Sequence, residues 1–67
     1  MTFGKWLREM REINGWTLQR LADEAGTCKS YIWDIENENY TPSTDKARDI
    51  CAAFGLPLWK VLKEIGY

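Results

Sequence analysis

Apolar residues recur at intervals of three and four along the chain, the spacing that places them on one face of an α-helix. The helical period dominates five segments, so the pattern predicts an all-α fold of five short helices without strands. The segments are separated by Asn14-Gly15, by a turn that begins at Gly26, by a polar stretch over 37–43 and by Gly55-Leu56-Pro57. The predicted buried stripes are Phe3, Trp6, Leu7 and Met10; Leu18, Leu21, Ala22 and Ala25; Ile32 and Ile35; Ala47, Ile50, Cys51 and Phe54; and Leu58, Val61, Leu62 and Ile65.

Capping residues stand at the ends of the second and fourth predicted helices. Thr17 and Ser43 are placed to accept hydrogen bonds from the first free N–H groups, and Asp45 suits the positive end of the fourth helix. Gly26 ends the second helix, since glycine adopts a left-handed backbone without steric cost. Two short helices joined by such a turn predict a helix-turn-helix between residues 17 and 36.

Length and composition fit one domain over residues 1–67. The residues are 45% hydrophobic and include four tryptophans, so a dense apolar core is expected to stabilise this short chain. No run of about 18 apolar residues occurs, and we expect no membrane segment. The N-terminus becomes charged within a few residues and lacks the apolar stretch of a secretory signal, which indicates a cytoplasmic protein.

Candidate catalytic and metal-binding groups are few. The chain has no histidine, and its two cysteines, Cys28 and Cys51, are far apart in the sequence. We therefore expect no metal, no cofactor and no enzymatic activity. Both thiols are expected to be free, Cys51 as core filler. Cys28 has a second interpretation as a redox-sensitive site, since a helix N-terminus lowers a thiol pKa.

The chain resembles the lambda-repressor and Cro-like family of helix-turn-helix regulators, also called XRE-type, over residues 3–65. This resemblance implies a compact five-helix domain that binds operator sequences in double-stranded DNA as a transcriptional regulator, of the kind encoded by phages and bacteria. The residues that carry it are Leu7, Met10-Arg11, Leu21-Ala22, Gly26, Tyr31-Ile32, Ile35-Glu36, Pro42-Ser43, the stripe of the fourth helix and Phe54-Gly55-Leu56.

The resemblance also implies a recognition helix over about 28–36 that lies in the major groove. Its outward residues would read bases, and helical spacing places the candidates Lys29, Ser30, Trp33 and Asp34 on one face, opposite Ile32 and Ile35. Lys29 has a second interpretation as a solvated lysine, and Trp33 as part of a protein-binding patch. Asp34 has a second interpretation as the partner of a nearby Arg or Lys.

The same resemblance places the starts of the second and fourth helices against the DNA backbone, where free N–H groups attract phosphates. The candidate phosphate contacts are Thr17, Leu18, Gln19, Arg20, Asn37, Asn39, Tyr40, Ser43, Thr44 and Lys46. It further implies a structural salt bridge between Arg11 of the first helix and Glu36 at the end of the third.

The sequence departs from the family pattern in three respects. Glu38 stands where the family often has glycine, so Asn37 or Asn39 is expected to supply the left-handed residue. Cys28 replaces the usual cap of the third helix, and Thr27 is expected to take over. Asp34, Glu36 and Glu38 place three acids near the proposed DNA face.

The charge balance leaves a second function open. Nine basic and ten acidic residues give a net charge of −1, whereas duplex-binding proteins usually carry a basic excess. The alternative is a protein-binding module on the same fold, such as an antitoxin or anti-repressor. For a regulator, a homodimer through Trp59, Ile65 and Tyr67 is one possibility, and a monomer that pairs only on DNA is another. No small-molecule ligand is expected.

Overall fold

The computed structural model describes residues 1–66 and confirms the predicted all-α fold. Five helices and no strand occur in this range, and the polar segment over 37–43 is a loop as expected. The helices are α1 (Phe3–Ile13), α2 (Leu18–Ala25), α3 (Lys29–Glu36), α4 (Thr44–Ala53) and α5 (Leu58–Ile65).

One apolar core lies between the helices. α3 packs against both α1 and α2, α2 also contacts α4, and α5 closes the core against α4 and α1. The predicted stripes supply it, with the largest fully buried side chains at Leu7, Leu21, Ile32, Ile35, Ile50, Cys51 and Val61. α3 is therefore buried on one side only, and its other side faces solvent.

An aromatic layer joins the link between α1 and α2 to the end of α4. Trp6 packs against Phe3 with ring centroids 5.6 Å apart and meets Phe54 edge-on at 5.9 Å. Phe54 also stacks on Trp16, with centroids 5.1 Å apart. The sequence pattern gave no role to Trp16, which lies between two helices and outside any stripe. Its stacking fixes the approach of the chain to the N-terminus of α2.

α1 and α3 approach most closely at Gly4. Gly4 is buried, and a Cβ atom at this position would overlap the carbonyl oxygen of Ile35. Only glycine therefore allows the two backbones to come this near. Because α1 is held tightly here, Arg8 and Arg11, one and two turns farther along, reach the C-terminal end of α3.

The C-terminus of α3 contradicts the expectation that Asn37 or Asn39 is left-handed. Glu38 is the left-handed residue, with φ of 61°. Its N–H donates to the Ile35 carbonyl, and the Asn39 N–H donates to the Asp34 carbonyl at 2.8 Å. This motif requires a left-handed residue at the second position after the last helical residue, which is Glu36. The last turn of the helix therefore selects position 38, whatever side chain stands there.

Replacing Glu38 by glycine is expected to stabilise the fold by about 1 kcal/mol, since an L-residue with a left-handed backbone costs roughly that much. The equivalent positions of α1 and α4, Gly15 and Gly55, already carry glycine at positive φ. Urea unfolding checks this result, with Glu38→Gln as the control that removes the charge and keeps the backbone. An equal gain in the glutamine variant would assign the effect to the carboxylate and reject the backbone explanation.

Candidate nucleic-acid interface

The helix-turn-helix is formed by α2, a three-residue turn and α3. The Thr17 hydroxyl accepts from the Arg20 N–H at 3.0 Å, and Gly26 ends α2 with a left-handed backbone. The expectation that Thr27 caps α3 is wrong. Cys28 occupies the cap position with extended backbone, and its side chain makes no capping bond. The first turn of α3 therefore keeps N–H groups without side-chain partners.

The solvent face of α3 carries the four residues proposed to read bases. Lys29, Ser30 and Trp33 are exposed and Asp34 is half-buried, whereas Ile32 and Ile35 on the opposite side are buried. Trp33 leaves 49% of its surface to solvent, which is a large apolar area for an unpartnered tryptophan. Asp34 forms no ion pair with any side chain of residues 1–66, so the alternative of a nearby Arg or Lys as its partner is not observed.

The starts of α2 and α4 have similar geometry. Ser43 caps α4 by accepting from the Lys46 N–H at 3.3 Å, and the exposed Thr44 and Lys46 follow it. At α2 the Leu18 side chain packs against the core, so only its backbone N–H is available to a phosphate. Each helix therefore presents a capped N-terminus with further free N–H groups.

Two proposed phosphate ligands at α2 already have intramolecular partners. The Arg20 guanidinium pairs with Glu24 at 3.2 Å and lies over the Trp16 ring, 5.1 Å from its centroid. The Gln19 amide donates to the Asp23 carboxylate at 2.9 Å. These exposed bonds are weak individually, because solvent competes for both partners.

The loop after α3 is more ordered than a run of polar residues suggests. The Asn37 amide nitrogen donates to the Trp33 carbonyl at 2.9 Å, and its oxygen accepts from Arg8. Asn39 is exposed, and the half-exposed Tyr40 packs its ring 5.2 Å from that of Tyr31. Burial raises the pKa of Tyr31. Of the three loop residues proposed to contact phosphate, Asn37 is thus exposed but already engaged in intramolecular hydrogen bonds.

Arg11 and Glu36 form a two-bond ion pair between α1 and α3. Arg11 Nε lies 2.7 Å from Glu36 Oε2, and Arg11 Nη2 lies 3.1 Å from Oε1. Arg11 Nη1 also donates to the Trp16 carbonyl at 2.9 Å. The hydrogen bonds to Glu36 raise the pKa of the Arg11 guanidinium. The pair joins α3 to α1 and to the segment that leads into α2.

Arg8 is a member of this cluster that the sequence analysis did not identify. Its Nε lies 3.4 Å from Glu36 Oε1. The available signal was helical spacing, because a residue three positions before Arg11 projects from the same face of α1.

Two of the three acids expected near the DNA face, Glu36 and Glu38, direct their carboxylates elsewhere. Glu36 is buried, with 5% of its surface exposed, and two arginines offset its charge. The Glu38 side chain turns toward the first turn of α1, where its Cγ lies beside Gly4. Asp34 is therefore the acid that remains on the outward side of α3 itself, which reduces the expected repulsion of DNA.

The two thiols lie in opposite environments. Cys28 is exposed, and its sulfur lies 3.5 Å from the Ser30 hydroxyl oxygen. This hydrogen bond is the main reason why the pKa of Cys28 is lowered. Burial raises the pKa of Cys51 to about 11.

Within residues 1–66, no group of three or more cysteine and acidic side chains is placed to hold a metal ion. In the same range, no helix has the length and apolar character needed to cross a membrane.

Comparison with known proteins confirms the resemblance. A family model described as a helix-turn-helix domain matches residues 4–66. The chain is 30% identical to the immunity repressor protein of Bacillus phage phi105, over 96% of this chain and 44% of that protein. It is 36% identical to the transcriptional regulator ClgR of Mycobacterium tuberculosis, over 94% of this chain and 56% of that protein. Over 64% of its length it is 44% identical to the competence pilus inhibition repressor of Acinetobacter baylyi, covering 41% of that protein. The chain thus spans about half the length of the curated relatives it matches.

Proposed function

Since this chain belongs to the helix-turn-helix domain family, we propose that it is a transcriptional regulator that binds double-stranded DNA in a sequence-specific manner. The observation that carries the proposal is the outward face of α3, which holds exposed Lys29 and Ser30 at the start of the helix and exposed Trp33 one turn later. Residues 1–67 would act as one DNA-binding domain in the cytoplasm, the compartment that holds the operator DNA of a phage or bacterium.

Each residue on this face has a chemistry suited to a base edge. Lys29 donates to guanine O6 and N7 or to a phosphate, and Ser30 contacts either base type. Trp33 offers apolar surface to thymine methyl groups, and Asp34 accepts from cytosine N4. Affinity comes from a different set of atoms, the free N–H groups at the starts of α2 and α4 together with Lys46, because these meet phosphates.

Binding of the folded protein to duplex DNA is the direct test. We expect association with random duplexes in dilute buffer, because the electrostatic contribution is largest there, and enrichment of one sequence family in a selection from a random pool. Folding is checked in the same buffer by circular dichroism. A helical, folded protein that ignores all duplexes at low salt would reject DNA binding and favour the protein-binding module instead.

Replacing Trp33 by alanine is expected to relax base preference by about 1–3 kcal/mol at the positions it contacts. The ring loses its apolar contact with the bases, whereas the phosphate contacts stay in place. Selection of bound duplexes from a random pool measures the effect.

Lys46→Ala is the contrasting control for that measurement. It should weaken binding to all sequences alike and flatten the salt dependence by about one unit, since it removes one phosphate contact. If Trp33→Ala leaves the selected sequences unchanged, Trp33 does not read bases.

We also propose that two copies pair through α5 when they bind a two-fold operator. Two apolar grooves share Leu58 and Leu62, and Trp59 on the same helix is 67% exposed. The expectation that Ile65 joins this surface is wrong, because its side chain points into the core with 6% exposure. Tyr67 lies outside the described residues. Sizing of the free and DNA-bound protein distinguishes a stable dimer from pairing on DNA only.

A further inference from the structure

The C-terminal end of the recognition helix is attached to α1 by a second arginine. Arg8 donates from Nε to Glu36 Oε1 and from Nη2 to Asn37 Oδ1, each at 3.4 Å. Asn37 in turn donates from its amide nitrogen to the Trp33 carbonyl at 2.9 Å, and its backbone N–H donates to the same carbonyl. A continuous set of hydrogen bonds therefore runs from Arg8 through Asn37 to the backbone of Trp33.

We infer that Arg8 is a positioning residue for base reading, acting through Asn37 to hold the last turn of α3 and hence Trp33 in place. The inference rests on the proposed function, since it concerns how this helix meets bases. It also changes the role of Asn37. Its oxygen and one of its amide protons are engaged in intramolecular hydrogen bonds, so its main role is to link α1 and α3 and not to bind phosphate.

Stability does not depend on Arg8 in the way that it depends on Arg11. The Glu36 carboxylate keeps both bonds to Arg11, at 2.7 and 3.1 Å, when Arg8 is absent. The Arg8 side chain is 46% exposed, against 16% for Arg11, so its ion pair with Glu36 is largely screened by solvent. A substitution at Arg8 therefore separates positioning from folding.

The shape of the arginine side chain is what the link uses. A guanidinium offers donors in a fixed planar fork, so Nε and Nη2 reach two acceptors on different residues at once. A lysine carries the same charge but presents it as one compact ammonium group. Arg8→Lys therefore keeps the electrostatic attraction to DNA and removes the two-residue bridge.

The test compares Arg8→Lys, Asn37→Ala and the double variant for binding to a selected duplex and to a random duplex. We expect each single variant to lower the ratio of the two affinities by about fivefold, the effect of losing one or two weak hydrogen bonds. The double variant should lose no more than Asn37→Ala, because Arg8 acts through Asn37. The melting temperatures and the salt dependence of Arg8→Lys should match those of the unmodified protein.

Charge removal has its own matched control. Arg8→Ala is compared with Lys5→Ala, which removes one exposed positive charge from the same helix. The inference is overturned if Arg8→Lys discriminates between duplexes as well as the unmodified protein does. A flatter salt slope confined to Arg8→Ala would then make Arg8 a phosphate ligand. A lower melting temperature that accounts for the lost affinity would also overturn it and make Arg8 part of the scaffold. If the unmodified protein binds no duplex, the proposed function itself fails, which is a different result from normal binding by all variants.

Discussion

Replacing Arg11 by alanine is expected to lower the free energy of unfolding by about 3–5 kcal/mol. The Glu36 carboxylate is buried and receives its two shorter hydrogen bonds from Arg11, so the variant leaves a buried charge with Arg8 alone, at 3.4 Å. The Trp16 carbonyl loses its donor at the same time. A loss of this size is a large part of the stability of a small domain.

Urea and thermal unfolding measure this effect, with a melting temperature expected to fall by about 4–8 °C for each kcal/mol. Arg48→Ala is the matched control, since Arg48 pairs with Asp45 at 3.6 Å while both side chains are mostly exposed. That variant should change stability by no more than about 0.5 kcal/mol. Equal, small losses in the two variants would show that the pair with Glu36 is not the main link between α1 and α3.

The consequence for DNA binding is indirect. Arg11 links α3 to α1 through Glu36 but is not among the groups proposed to contact bases. Under conditions where Arg11→Ala is still folded, we expect the same selected DNA sequences as for the unmodified protein. A changed sequence preference at full folding would contradict this expectation and show that Arg11, like Arg8, also positions α3 for base reading.

Gly4→Ala is expected to destabilise the fold by about 1–3 kcal/mol, the usual cost of forcing extra atoms into a packed interior. The new methyl group would overlap the carbonyl oxygen of Ile35, a backbone atom that moves only if α1 or α3 moves. The sign of the change in unfolding free energy is informative, because alanine stabilises an isolated helix relative to glycine by about 1 kcal/mol. Local propensity and tertiary packing therefore predict opposite results.

Urea unfolding decides between the two, with Glu9→Ala on the exposed side of α1 as the control for helix propensity. That control should leave stability almost unchanged or raise it slightly. A Gly4→Ala protein as stable as the control would mean that α1 and α3 are not in close contact at this point. A destabilised variant should also lose affinity for DNA, because α1 carries both arginines that hold the end of α3.

Much of the fold was predictable from local rules. Helical periodicity and the caps Thr17 and Ser43 identified the five helices, and the structure has hydrogen bonds from both caps. The outward position of Lys29, Ser30 and Trp33 followed from the same period, once Ile32 and Ile35 were assigned to the core. These features depend on residues within about four positions of each other, so a single sequence contains the information.

The errors share a physical cause. Glu38 adopts the left-handed backbone because α3 ends at Glu36, and residue preferences alone favoured the neighbouring asparagines. Ile65 was assigned both to the core and to a dimer surface, and only the packing of α5 decides that it is buried. The Glu36 charge was counted against DNA because its exposure is not visible in the sequence.

The sequence by itself determined which segments are helical, which caps and turns separate them, and which side of each is apolar. The tertiary structure alone decided that α1 lies close enough to α3 at Gly4 for Arg8 and Arg11 to reach Glu36, that Arg8 also binds Asn37, and that Trp16 joins Phe54. The reason is the separation along the chain of the residues that interact. Helix formation depends on neighbours in the chain, whereas these contacts join residues 25 to 38 positions apart and exist only after the helices have packed.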